Sequence, residues 1–395
     1  MNAQIPTLSE AAKAVMAGLL AYGEATRRDL AHHANVSFPT VTAALAELGR
    51  LALIEEVRRE QGPRGRATIV YGIGRTAGWV LGCDIGSTQI SLMARDLGGT
   101  IRARETTPHG GDPLAAADRA AAHASKFVER MQAIGPIRSI ALAVNQIVPR
   151  DITPTAGRHG ITHAIVQRFA DQLGAGEGTP LLVENNVNCA AVAEHHDGHL
   201  RGCKDAAYMQ IGVGLGLGFF CDGALIRGAH GAGGELAQIP LSWSADAASP
   251  RDAIEQVLGE RGLVYRVQQY WRKPEPAPQT LDEVFALDAQ GDPHVHAALH
   301  EHAIALARVA ATIATILDPE KLVLGGGLTR SGAFTRRIIE EFSARDPSTQ
   351  IAQSEKHSDA TVEGATVLAR DLAISQLLGQ FYRPLLQRPT TWSLS

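Results

Sequence analysis

Three glycine-rich turns, each after an apolar strand-like run and far apart in the chain, constrain the fold more than any other feature. WVLGCDIGSTQISLMARD, starting at Trp79, reads as strand, tight turn, strand. MQIGVGLGLGFFCDGALIRGAHGAGGEL (Met209 to Leu236) reads as a glycine-spaced strand, a DG hairpin turn and a second glycine-rich loop. LDPEKLVLGGGL (Leu317 to Leu328) follows a long apolar helix with a strand and a triple-glycine turn. Glycine lets the backbone approach a ligand closely. At the first turn Asp84, Gly86, Ser87 and Thr88 add a carboxylate, backbone N–H groups and hydroxyls suited to holding phosphates, with or without Mg²⁺. Such turns in separate parts of the chain predict two lobes closing on a ligand.

LLVENNVNCAAVAE (Leu181 to Glu194) is the other dense polar stretch. Leu181 to Val183 read as a buried strand and Cys189 to Ala193 as the start of a helix of small residues. Glu184, Asn185, Asn186 and Asn188 then occupy a strand-to-helix turn, where open α/β sheets place ligands. An amide donates and accepts hydrogen bonds but cannot take a proton as a carboxylate does.

The whole chain of 395 residues has room for two or three domains, and 45% apolar with 20% charged residues is ordinary for a soluble protein. The net charge of −4 gives no global nucleic-acid signature. Through Arg75, nine basic residues face seven acidic ones, making that part +2 and the remainder −6. Four cysteines without C-x-x-C spacing read as buried core thiols of a reducing compartment. MNAQIPTLSE lacks the basic start and apolar run of a secretory signal, and no segment has the roughly 20 apolar residues that span a bilayer. The expectation is a cytoplasmic protein with no membrane partner.

Residues 1–76 read as a winged helix-turn-helix. Leu8 to Tyr22 has helical spacing. In ATRRDLAHHANVSFPTVTAALAELG, Thr26 caps one helix and Asn35 supplies a left-handed turn. Ser37 caps a second helix, with Pro39 in its first turn and Val41, Ala44, Leu45 and Leu48 on one face. Ser37, Phe38, Pro39, Thr40 and Thr42 are then the candidates for the DNA major groove. LALIEEVRRE and ATIVYGI pair as a hairpin whose GPRGR tip offers Arg64 and Arg66 to phosphates or a narrow minor groove. The alternative is a pair of hairpins used for protein contacts.

Together these stretches resemble the ROK family (repressors, open reading frames and sugar kinases), nearest the xylose- and N-acetylglucosamine-repressor branch. DIGST matches its first phosphate turn, GVGLGLG the second, DGALIRGAHGAGGE the signature that follows, LDPEKLVLGGG the adenosine-side segment and VENNVN the sugar-site turn. The resemblance implies an α/β fold in which the winged helix-turn-helix precedes a two-lobed, actin-like (ribonuclease-H-type) sugar-kinase core at 77–395. Lobe one is expected at about 77–135 plus the C-terminal helix, and lobe two at about 136–370. Asp84, Gly86, Ser87, Thr88, Gly212, Gly214, Gly325 and Gly326 become a vestigial nucleotide site. Asn185, Asn186 and Glu235 become the hydroxyl-binding residues of a sugar cleft between the lobes.

The departures from the family pattern carry the functional expectation. Kinases of the family have Asn-Asp where this chain has Asn185-Asn186, and that Asp is the general base, whose loss typically costs about 10²–10⁴ in rate. The family's Gly-His and cysteine-rich zinc stretch is replaced by GGELAQIPLSWSADAASPRD, with Ala237 and Gln238 and no cysteine beyond Asp222. LAVNQIV (Leu142 to Val148) stands where relatives have a Val-Pro-Gly turn, and Gln89 replaces a Lys. The expectation is a regulator, in the sense of a repressor, of carbohydrate metabolism with no catalytic residue, no metal and no cofactor. Its partners are a palindromic double-stranded operator, a sugar or sugar-derivative effector, and copies of itself in a homodimer or homotetramer. The alternative is a bifunctional kinase with a DNA-binding appendage. The histidines of EHHDGH and HVHAALHEH read as solvated helix ends, Ala115 to Met131 as a packing helix, and QYWRKPEPAPQ as a Pro-rich surface loop.

Overall fold

The computed structural model describes residues 5–61, 67–150, 160–176, 178–239, 253–382, 384–386 and 389–392. Two compact units emerge, residues 1–185 with 365–395, and residues 186–364.

The first unit begins with α1 (Glu10–Tyr22), capped by Ser9, whose hydroxyl oxygen accepts the Ala12 N–H at 3.2 Å. A short strand β1 (Ala25–Thr26) leads into α2 (Arg27–His33) and α3 (Phe38–Arg50). Thr26 and Asp29 cap α2 reciprocally, the Thr26 N–H donating to Asp29 Oδ2 at 2.9 Å and the Asp29 N–H to Thr26 Oγ1 at 3.3 Å. Such a box satisfies two orphan donors and is worth about 1 kcal/mol. Asn35 takes φ 51° in the turn, as its short polar side chain allows. Val41, Ala44, Leu45 and Leu48 are buried, the stripe a helix of period 3.6 presents to a core. Ser9 also donates to Glu47 from its N–H (2.9 Å) and hydroxyl (2.6 Å), tying α1 to α3. The strands β2 (Ile54–Gln61) and β3 (Ala67–Ile73) pair antiparallel, with β1 completing a sheet of order β1-β3-β2.

Beyond this lies a six-stranded sheet. β4 (Trp79–Ile85), β5 (Gln89–Asp96) and β6 (Ile101–Pro108) run antiparallel, while β7 (Ile137–Val144) and β8 (Leu181–Asn185) continue parallel to β4. The order from the far edge is a short C-terminal strand (Thr391–Trp392), then β8-β7-β4-β5-β6. β4 and β7 are buried along their whole length, which parallel strands covered on both faces require. α4 (Pro113–Met131) presents Ala116, Ala117, Ala120, Ala121 and Ala124 to this core, and α5 (Gly160–Leu173) packs beside it. The break expected near residue 135 is corrected: β7 and β8 pair into the first sheet, so the first unit runs on to Asn185.

The second unit opens with α6 (Asn186–Asp197), followed by β9 (Ala206–Ile211), β10 (Leu215–Cys221) and β11 (Ala224–Leu225). The helices α7 (Ala253–Leu258), α8 (Glu260–Tyr270), α9 (Leu281–Ala289) and α10 (Pro293–Leu317) precede β12 (Lys321–Gly325), α11 (Gly332–Ser343) and β13 (Gln350–Gln353). The sheet order is β11-β10-β9-β12-β13, with β9, β12 and β13 parallel. This repeats the β6-β5-β4-β7-β8 order of the first sheet. Helix α12 (Ala360–Leu378) starts in the second unit and ends in the first, where Arg95 Nε donates to Thr366 Oγ1 at 2.9 Å and Ser139 Oγ to the Ala369 carbonyl at 2.5 Å.

Two expectations about side chains change. Cys83 and Cys189 are buried, but Cys203 is half-buried and Cys221, the last residue of β10, is exposed. In HVHAALHEH, His296 and His300 are exposed, whereas His302 is fully buried on the inner face of α10. No described helix is long and apolar enough to cross a membrane.

Candidate functional site

In the first unit the ends of three parallel strands line up, because Ile85 pairs with Val144 and Val144 with Asn185. Open α/β sheets bind ligands just beyond such carboxyl ends. After β4 the chain turns over Gly86–Gln89, with the Gly86 N–H donating to the Gln89 carbonyl at 3.0 Å and Ser87 and Thr88 exposed. Asp84 lies one residue inside, 7% exposed, and its Oδ1 has no partner among the described residues. Burial pushes its carboxyl up to about 7, because the anion has lost its water.

His109, which sequence reasoning passed over, clamps this turn. The Gly111 N–H donates to its Nδ1 at 3.1 Å, so the remaining ring proton is on Nε2, which donates to the Gly86 carbonyl at 2.8 Å. Its backbone N–H donates to the Thr88 carbonyl at 2.9 Å. The only local signal was a histidine followed by two glycines in TPHGGDP. A cavity of about 30 Å³ lined by Gly86, Ser87, His109, Asn145 and Ile165 lies beside the turn, room for one or two waters.

Beyond β7 and β8 the side chains are amides. Asn145 Nδ2 donates to Ser87 Oγ at 3.3 Å, Gln146 Nε2 to Asn145 Oδ1 at 3.4 Å, and Asn185 Nδ2 to the Gln146 carbonyl at 3.2 Å. β8 passes into α6 without a loop, so the four polar residues do not share one exposed turn. Glu184 is 1% exposed and Asn188 3%, both interior, while Asn185 and Asn186 remain half-buried. Glu184 Oε1 accepts the Asn185 N–H at 2.8 Å.

In the second unit, Gly212 and Gly214 close the β9–β10 turn through a 2.9 Å bond from the Gly212 N–H to the Gly214 carbonyl, and the Glu260 N–H caps the Gly212 carbonyl at 2.9 Å. A Cβ at Gly214 would stand 2.7 Å from Glu255 Oε2, and one at Gly325 would overlap the Tyr208 ring. Gly326, at φ 95°, sits against the Ile211 carbonyl. Internal packing by itself therefore demands glycine at Gly325 and Gly326, whereas the carboxylate end of Glu255 can swing away from Gly214. Glu235, half-buried, follows the glycine-rich loop at the start of a short 3₁₀ turn. Among the described residues, no group of three or more His, Cys, Asp or Glu is placed to hold a metal. The Pro-rich loop after α8 and the outer face of α9 border an open groove of about 490 Å³ lined by Trp271, Pro276, Pro278, Glu283 and Leu287 among others.

In the N-terminal segment Ser37 caps α3, and its hydroxyl shares a 2.7 Å bond with that of Thr40, which is half-buried. The outward face of α3 carries Phe38 (53% exposed), Pro39, Thr42, Ala43, Ala46 and Arg50. Arg58, Arg59 and Arg75 are each ion-paired with nearby glutamates, whereas exposed Arg28 and Arg50 have no ion-pair partner among the described residues. Arg64 and Arg66 lie outside the described residues.

A model of the ROK family matches residues 80–372. N-acetyl-D-glucosamine kinase of Escherichia coli O157:H7 is 27% identical over 297 residues, covering 71% of this chain and 95% of the kinase. Among solved structures, a ROK family transcriptional regulator homologous to the E. coli MLC protein aligns with TM-score 0.71 at 21% identity, over 94% of this chain and 98% of the regulator. A ROK family glucokinase from Streptomyces griseus, in complex with glucose and AMPPNP, aligns with TM-score 0.63 at 21% identity, over 74% of this chain and 99% of the enzyme. The two-sheet core is thus the actin-like ROK sugar-kinase fold.

Proposed function

Because this chain belongs to the ROK family, we propose that it is a DNA-binding transcriptional regulator, a repressor of carbohydrate metabolism, whose kinase-like core senses a sugar without phosphorylating it. The observation that carries this is the segment before residue 80, outside the matched family region, with helices, sheet and capping of its own. The regulator structure extends over 94% of the chain and the glucokinase over 74%, which favours a regulator's architecture. In this reading α2, the Asn35 turn and α3 form the helix-turn-helix, and β2 with β3 is the wing carrying Arg64 and Arg66. Ser37, Phe38, Pro39, Thr40 and Thr42 face the major groove, while Arg28 and Arg50 bind phosphates. A two-fold homodimer, or a tetramer of such dimers, suits a palindromic operator.

Asn185, Asn186 and Glu235 are the proposed sugar-hydroxyl partners, and Asp84, Gly86, Ser87, Thr88, Gly212, Gly214, Gly325 and Gly326 a vestigial nucleotide site. The likeness to N-acetylglucosamine kinase favours a second reading, a kinase that also binds DNA. Asn186 weighs against it, because an amide cannot serve as the general base.

Two assays on the full chain test the proposal. Selection from random duplex DNA should enrich a palindrome, with log affinity falling linearly against log salt. Arg64→Ala/Arg66→Ala should flatten that slope by about 0.9 for each DNA phosphate the variant leaves unneutralised. A coupled ATP assay should show no sugar phosphorylation. Turnover near 1 s⁻¹, the low end of the usual enzyme range of roughly 1–10³ s⁻¹, or no enriched sequence, would sink the reading.

A further inference from the structure

The outward face of α3 says how a duplex bound against it is read. At 3.6 residues per turn, the exposed residues Phe38, Pro39, Thr42, Ala43 and Ala46 share an arc of about 140°. Val41, Ala44, Leu45 and Leu48 are buried on the other side. The Phe38 ring, 53% exposed, begins the arc, so this face offers carbon to whatever covers it. The same pair of helices carries exposed Arg28 and Arg50, neither of them ion-paired among the described residues. An apolar face beside unneutralised cations suits a polyanion whose groove presents apolar groups, as the major groove of DNA does.

What this face lacks is equally specific. The 13 residues of α3 include no Lys, Asn, Gln, Asp or His. Hydrogen-bonded readout uses Arg or Lys on guanine, Asn or Gln on adenine, and Asp or Glu on cytosine. Glu47 is held by the Ser9 N–H and hydroxyl at 2.9 and 2.6 Å. Arg50 lies about 18 Å along the helix axis from Phe38, beyond the N-terminal turns that a recognition helix presents to base edges. The hydroxyls are engaged as well. Thr42 Oγ1 donates to the Phe38 carbonyl at 3.0 Å, and Ser37 and Thr40 share a 2.7 Å bond at the cap. The nearest amide, Asn35, belongs to the turn ahead of the helix. Methyl groups and ring carbon remain, and in the major groove their counterpart on a base is the C5 methyl of thymine.

We propose that Thr42, Ala43 and Ala46 are specificity-determining residues that read pyrimidine C5-methyl groups, those of thymine or of 5-methylcytosine, in place of hydrogen bonds to base edges. This rests on the DNA-binding reading above and deepens it. Each methyl that packs against the face leaves water, for a gain of about fourfold in affinity. Cytosine and uracil carry only hydrogen at C5 and leave the facing methyls without a partner. Preference of this kind follows the methyl and not the base pairing, so methylation of a cytosine recruits the protein where the plain base does not.

The first test changes the DNA and leaves the protein intact. A duplex enriched by the full chain from random sequence is remade with each thymine in turn replaced by uracil, which keeps O4 and the pairing and removes only the methyl. At one or more positions in each half-site affinity should fall about fourfold, with little change elsewhere. At those positions a 5-methylcytosine–guanine pair should bind about fourfold tighter than a cytosine–guanine pair. Thr42→Ser strips a methyl, keeps the hydroxyl, and should bring the thymine-to-uracil affinity ratio at one position toward unity. Thr42→Val keeps the methyl and should retain that ratio. Thr42 is exposed, and a ratio measured on one protein cancels any loss of folded material. Ala46→Gln sets an amide on the face and should move the enriched sequence toward adenine at one position. An enriched sequence whose uracil forms all bind as the parent does overturns the proposal and leaves the regulator reading standing. So does a loss spread evenly over every thymine, which is a response of duplex shape, or a ratio untouched by Thr42→Ser. Enrichment of no sequence overturns the regulator reading and this proposal with it.

Discussion

The two units lay their strands in the same order around different interiors. The first fills its sheet with long apolar runs and an alanine-faced helix, and it buries an acid, Asp84, which burial pushes up to about 7. The second lets backbones come close through glycine: a Cβ at Gly364 of α12 would stand 1.7 Å from the Cys189 carbonyl oxygen of α6. It buries a base, His302, whose Nε2 donates to the Leu258 carbonyl at 3.0 Å and which burial holds down to about 4. One topology thus has two sensitivities. The first unit is vulnerable to charging of an acid, the second to loss of space and to charging of a base.

The sharpest break of this contrast is Gly364→Ala. The added methyl meets a backbone carbonyl, which cannot rotate away, so α6 and α12 must separate. Overpacking of this kind costs about 3 kcal/mol or more. Urea unfolding should show the midpoint falling far more than for Ala117→Ser, a small-residue change in the first unit's core. A loss below about 1 kcal/mol would mean that space is not what limits the second unit.

Asp84→Asn comes next. A carboxyl whose folded value is raised binds its proton more tightly folded than unfolded. Its ionisation therefore erodes stability as pH rises from about 4 through 7. The neutral amide has no such penalty, so at pH 8.5 the variant should be more stable than the parent by on the order of 2 kcal/mol. The gain should vanish below about pH 4, the unfolded value. A pH-independent difference would show that Asp84 gains a partner on folding that neutralises its charge.

His302 gives the smallest and opposite effect. Its folded value is depressed, so stability is lost as pH falls from about 6.5 toward 4, where the unfolded chain takes up the proton first. His302→Phe leaves the Leu258 carbonyl without its donor and should cost about 1 kcal/mol at pH 7.5. It should also remove the acid loss, so the two stabilities meet near about pH 6 and the variant becomes the more stable below it. A parent that stays the more stable down to about pH 5 would place the acid-labile group elsewhere in the second unit.

Much of the N-terminal segment was legible in sequence because its determinants are local. Thr26, Asn35 and Ser37 act within three or four residues of themselves, and Val41, Ala44, Leu45 and Leu48 need only the helical period. The strand-end positions of Asp84 and Asn185 were legible for a similar reason, since an apolar run followed by a turn signal marks a strand end wherever it docks. The first unit's extent was not. Nothing near residue 135 says that Ile137–Val144 and Leu181–Asn185 pair with Trp79–Ile85, because parallel pairing joins segments dozens of residues apart. Histidines in sequence looked alike, yet His302 went inside while His296 and His300 stayed out.

What the sequence by itself determined is the inventory: the capped helices, the apolar strands and the glycine turns. These follow from short-range rules of backbone sterics, capping and periodicity, which act before distant segments meet. Only the tertiary structure decided that Asp84 lies buried with an oxygen unpartnered among the described residues, that His109 holds the turn beyond it as a single tautomer, that Glu184 faces inward, and that Ser87, Asn145, Gln146 and Asn185 meet in one hydrogen-bonded series. Burial and hydrogen-bond partners depend on which segments of the chain pack together. A side chain's charge state and ligand chemistry are set by those neighbours, and their separation along the chain hides them from any local pattern.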